Sequence, residues 1–130
     1  MKNVPVPNIS QALNGDNFKH YITIGDIVDG AKQILDLSDI DIIVTYFTLG
    51  SIKNYVASKV GTVYTNCSLD STFKKLKVIL DNYDLDNGVV HCKITIKIAD
   101  ADYPDGFATF NKYICTGVEL VSNTYFTYGN

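Results

Sequence analysis

Between Leu80 and Gly106 the chain reads LDNYDLDNG, VVHCKITIKI and ADADYPDG, two Asp-rich turns around one alternating stretch. Val90, Cys92, Ile94, Ile96 and Ile98 fall on one side of an extended backbone, and His91, Lys93, Thr95 and Lys97 fall on the other. A period of two with one apolar and one polar side describes a strand with one face on a core and one toward water, which is the habit of antiparallel sheets. Whatever else the chain does, it folds around this strand.

The remaining segments follow the same pattern. Residues 3–17 contain VPVPN and NGDN, in which Pro5 and Pro7 hold extended backbone and Gly15 marks a turn. They read as an extended arm, residues 1–17, with a short helical turn at Ser10–Leu13, ahead of one domain over residues 18–130. Residues 18–24 alternate as a first strand. Residues 26–37 are ambiguous: Ile27, Ala31, Ile34 and Leu35 fit a helical face, but Gly30 interrupts it, which favours a turn and a short strand. Residues 40–48, apolar on both faces, predict a central strand covered on both sides. Residues 55–60 and 62–67 predict a hairpin at Gly61, and residues 73–80, 107–114 and 118–121 predict further strands, with 124–128 as a last edge. About eight short strands and no dependable helix predict an all-β antiparallel β-sandwich, Ig-like or jelly-roll-like, with a partly closed barrel as the rival.

Composition narrows the function. All eleven basic residues are lysine, and thirteen of the fourteen acidic residues are aspartate, for a net charge of -3. Arginine supplies the forked donors that read phosphate and guanine, so its absence argues against nucleic-acid binding. Cys67, Cys92 and Cys115 lie 25 and 23 residues apart, which suits reduced thiols rather than a disulfide framework or a zinc site. The first fifteen residues lack the apolar run of a signal peptide, and no segment has the eighteen apolar residues of a membrane span.

Three kinds of site are weighed. Asp100, Asp102 and Asp105 partly match a calcium loop, but Pro104 stands at the third ligand position of that pattern and Asn111 where its bidentate glutamate belongs. His20 and His91, the only histidines, sit on strand positions without a nucleophile or carboxylate at a catalytic spacing, so no catalytic residue and no cofactor are expected. Nine tyrosines, among them Tyr46, Tyr55, Tyr64, Tyr113, Tyr125 and Tyr128, keep glycan stacking open, although tyrosines at alternating positions more often pack cores or subunit contacts.

The order of segments, from GDNF through DLS, DIIVTYFT and VILDNYDLDNGVV to YPDGF and TGVEL, resembles small virion proteins of crAss-like phages that infect Bacteroides. It is more distantly similar to the N-terminal β-sandwich of upper baseplate and tail-fibre adaptor proteins. There an apolar-Asp-Leu-Ser segment precedes a core strand and a DxxLxxG-type turn follows, here at residues 35–38 and 80–90. The resemblance spans residues 16–121. It implies a non-enzymatic virion protein, made in the host cytoplasm, that forms a homo-oligomer, often a trimer, and docks other virion proteins of the baseplate, tail fibre or head fibre. On this reading Val4, Pro5, Val6 and Pro7 of the arm, with Tyr125, Phe126 and Tyr128, are the partner-contact candidates, and the arm adds to an exposed strand edge of a neighbouring subunit.

Overall fold

The computed structural model describes residues 10–122. These carry eleven strands and no helix: β1 (Ser10–Leu13), β2 (Phe18–Ile22), β3 (Gly25–Val28), β4 (Ala31–Ile34), β5 (Asp41–Thr48), β6 (Tyr55–Val60), β7 (Val63–Thr65), β8 (Cys67–Leu69), β9 (Leu76–Leu80), β10 (Gly88–Ala99) and β11 (Phe107–Val121). Six form one sheet in the order β1-β11-β10-β5-β6-β7, three form a second in the order β2-β9-β8, and β3 and β4 make a separate hairpin. The fold is all-β and sandwich-like, with more strands than the sequence suggests.

The alternating stretch is β10, antiparallel to β5 on one side and to β11 on the other. Its predicted apolar side is the inner face: Val90, Cys92 and Ile94 are buried with Ile42, Val44 and Tyr46 of β5. Ile22, Leu76, Val78 and Leu80 close over them from the smaller sheet. The Asp-Leu-Ser segment feeds this core, because Asp36 Oδ1 accepts from the Ser38 N–H at 2.9 Å and its hydroxyl at 2.6 Å, which turns the chain and sends Leu37 into full burial. The turn 81–87 contributes Tyr83 and Leu85.

Residues 26–37 hold the favoured turn and short strand rather than a helix: Asp29 and Gly30 both take positive φ (53° and 77°), the backbone of a tight hairpin turn, and β4 follows, paired with β3 ahead of the turn. Three expectations need correction. Ser10–Leu13 is not a helical turn but a strand, parallel to β11 from Ser10↔Val118 to Leu13↔Val121, so the part of the arm that is described pairs with its own chain. The strands expected at 107–114 and 118–121 are one strand. It is bent by a bulge where Thr116 and Gly117 (φ 81°) lie opposite the step from Val89 to His91, with the Thr116 hydroxyl donating to the Val90 carbonyl at 2.7 Å. Finally, among the described residues β5 is covered on one side only, its other face being half-buried. The hairpin at Gly61 is present as β6–β7, while Cys67 has crossed into the second sheet through Asn66, whose φ is 58°.

Candidate functional site

Two surfaces of the large sheet carry exposed apolar side chains. One is the outer face of the large sheet. Strand register sets Phe47 opposite His91 and Lys93 opposite Tyr113. The Phe47 and His91 rings stack with centroids 6.1 Å apart, Tyr113 meets Phe47 edge-on at 6.3 Å, and the Lys93 ammonium stands 5.9 Å from the Tyr113 ring centre. Tyr113 remains 65% exposed and Ile52, beside it across a shallow groove of about 420 Å³, is 98% exposed. Val56 and Val60 of β6 and Val63 of β7 continue exposed apolar surface toward the far edge of the sheet. Lys93 and Lys53 supply the charge along the groove; Lys53 is held by Asp86 at 3.3 Å and Asp84 at 3.4 Å, which raises its pKa.

The other surface is on the inner side. The small sheet stops at β2, so the distal halves of β10 and β11 form the floor of an open cleft of about 630 Å³. Ile94, Ile96, Phe110 and Ile114 line that floor, and Tyr21 and Ile24 form the facing wall. Phe110 is 55% exposed there.

The histidines serve packing. Nδ1 of His20 lies 2.8 Å from the hydroxyl of the buried Tyr46, and burial lowers the His20 pKa while it raises that of Tyr46. His91 is the ring stacked on Phe47. The calcium candidates lie in the β10–β11 turn and serve its backbone: Asp100 Oδ1 accepts from the Asp102 N–H at 3.0 Å, and Asp105 Oδ1 from the Phe107 N–H at 3.1 Å. Among the described residues no three His, Cys, Asp or Glu side chains gather to hold a metal ion. Val4, Pro5, Val6, Pro7, Tyr125, Phe126 and Tyr128 lie outside the described residues. Of the other tyrosines weighed for glycan stacking, Tyr46 is core and the Tyr55 hydroxyl donates to the Ile79 carbonyl at 2.9 Å, while Tyr64 and Tyr113 are exposed, as are Tyr21 and Tyr103.

Sequence reasoning missed Phe47, Ile52 and the valines of β6 and β7. The signal was present in the doubly apolar β5, which reads equally as a strand buried within one chain and as a strand whose outer face awaits another molecule. No family model matches the chain, and none of the curated proteins matches it.

Proposed function

We propose that this protein is a non-enzymatic structural subunit that joins copies of itself and other proteins, and that it does so in a phage virion, as a baseplate, tail-fibre or head-fibre adaptor. One observation carries the assembly reading: the outer face of the six-stranded sheet presents Phe47, Val56, Val60, Val63 and Tyr113 in strand register, with the exposed Ile52 of the β5–β6 loop beside them and no second layer over them among the described residues. A sheet face that meets water alternates to polar residues, and apolar surface on this scale marks a protein contact. The non-enzymatic part is supported by the engagement of His20 with Tyr46 and of His91 with Phe47. The virion placement draws on the resemblance at residues 35–38 and 80–90, where Leu37, Tyr83 and Leu85 are core residues. Light scattering on the full chain is expected to give a homo-oligomer that falls to the 14.4 kDa monomer on Val60→Glu combined with Tyr113→Glu. A full chain that stays monomeric at high concentration, or an oligomer untouched by the double change, overturns assembly through this face.

The groove beside Tyr113 supports a second reading, a non-catalytic glycan-binding module, because Ser51, Asn54 and Lys93 set polar groups next to an exposed aromatic ring. Calorimetric titration with bacterial-surface oligosaccharides, compared with Tyr113→Ala, separates it: heat that disappears in the variant favours the module, and no heat with either protein removes it.

A further inference from the structure

One charge interrupts the apolar floor of the inner cleft. Paired residues of antiparallel neighbours share a face of their sheet, and Ile94 pairs with Lys112, Ile96 with Phe110 and Cys92 with Ile114. Lys112 therefore sits on the inner face of β11, between Phe110 and Ile114. It lines the cleft of about 630 Å³ and is the only cation among the described residues around it. Among the described residues no carboxylate forms an ion pair with it. Asp26, the one acidic residue of the lining, accepts from the Ile27 N–H at 2.8 Å. Asn111 carries its amide to the outer face, where Oδ1 accepts from the Thr95 hydroxyl at 2.6 Å. The floor beside Lys112 is thus made of Ile94, Ile96, Ile98, Phe110 and Ile114, side chains with no hydrogen-bonding group.

We propose that this cleft binds an unbranched aliphatic monocarboxylate, with its chain laid along the isoleucine floor and its carboxylate at the Lys112 ammonium. Three features select that chemistry. The volume is that of a small-molecule site, a class of cavity that is mostly apolar with a few polar groups to fix orientation. A floor that offers no donor or acceptor apart from Lys112 suits a run of methylenes, whereas a sugar or a base would lose its hydrogen bonds to water there. A single lysine is a point charge that matches one carboxylate, and this chain has no arginine to supply the forked donors that hold a phosphate. Because the small sheet stops at β2, the cleft stays open to water along one side. The ion pair then orients the ligand, and burial of its chain supplies most of the affinity. The inference is independent of the proposed function, since the cleft lies on the inner side of the large sheet and the assembly face on the outer side.

Titration of the full-length chain with octanoate, decanoate and dodecanoate, each below its micelle-forming concentration and followed by amide NMR shifts, tests this, with octanol as the uncharged probe. The amides of Ile94, Ile96 and Phe110 are expected to shift, and affinity to rise about fourfold for each added methylene. Octanoate is expected to bind about fivefold more tightly than octanol. Lys112→Met, which keeps an apolar stem, is expected to erase that preference while octanol still binds, and Phe110→Ser to weaken acid and alcohol alike. Lys112 and Phe110 are both exposed, so neither substitution takes a side chain out of the core. Three results each overturn the proposal: no shift in the cleft with any of the acids, equal affinity for acid and alcohol in the unaltered protein, or a preference for the acid that survives Lys112→Met. Equal affinity would leave Lys112 as a side chain that covers apolar floor with its stem and keeps its charge in water.

Discussion

The ammonium of Lys59 lies 2.9 Å from the carbonyl oxygen of Ser38 and 2.9 Å from that of Ile40, inside a core where Lys59 itself is 1% exposed. A cation on the inner face of β6 thereby ties the large sheet to the Asp-Leu-Ser segment that delivers Leu37. Lys59→Met keeps the apolar stem but leaves two carbonyls without their donor, and is expected to lower unfolding free energy by about 2 kcal/mol. Urea unfolding checks this; an unchanged midpoint would show that the two carbonyls find other donors.

His20 makes stability depend on pH. Burial holds its folded pKa below the ordinary 6.5, so the unfolded chain binds a proton that the folded chain refuses. Stability from this group is complete above about pH 6.5 and declines as the pH falls below it toward the folded value. The lowered carboxyls Asp36, Asp70 and Asp86 act in the same direction, but only as the pH falls below their ordinary 3.8. The thermal midpoint is expected to drop between pH 7 and pH 5, and His20→Asn to flatten that slope. A slope that survives the substitution assigns it to another group.

Tyr83 clamps the entry to the domain. Its hydroxyl donates to the Asp16 carbonyl at 2.7 Å and accepts from the Gly15 N–H at 3.0 Å, while its ring meets Phe18 edge-on. Tyr83→Phe keeps the ring and is expected to cost about 1 kcal/mol in denaturant unfolding. The same contacts make a truncation at residue 15 unsafe as a test of the arm, since it removes β1 and the Asn14 amide that bonds Leu85 and Asn87. Removing residues 1–9 leaves these intact.

The three thiols should separate by rate. Cys115 is exposed on the outer face, Cys67 is half-buried with Sγ donating to the Ser58 carbonyl, and Cys92 is core, with burial pushing its pKa up to about 12. Alkylation followed by mass spectrometry is expected to modify Cys115 first, Cys67 more slowly and Cys92 only with global unfolding. Early modification of Cys92 would mean that the inner face opens locally.

Calcium is expected to leave the melting temperature unchanged, as is a chelator. Asp100 and Asp105 each direct an oxygen to a backbone N–H of their own turn, and a bound ion would have to displace those bonds. A rise of several degrees with calcium would reinstate the loop as a site.

Much of the architecture was legible in local pattern. The alternation in β10 named its inner face residue by residue, although only Val90, Cys92 and Ile94 of that face are buried, and the Gly61 turn named its hairpin, because both are decided by neighbours in the chain. The Ser10–Leu13 strand was not legible, since a parallel pairing with residues more than a hundred positions away leaves no periodicity in four residues. Lys59 reads as a solvated charge in any local window; only the carbonyls of Ser38 and Ile40, brought to it by the fold, make the core habitable for it.

By itself the sequence determined that the chain is built of strands, where most of them turn, and which side of the central one is apolar, because side-chain alternation and backbone preference act over a few residues. Tertiary structure decided that, among the described residues, three strands cover six, no second layer lies over the outer face of β5, and β11 pairs with β1 only at Val118–Val121 on its far side. Those outcomes depend on strand order and on the unequal widths of two sheets, quantities set by long-range pairing.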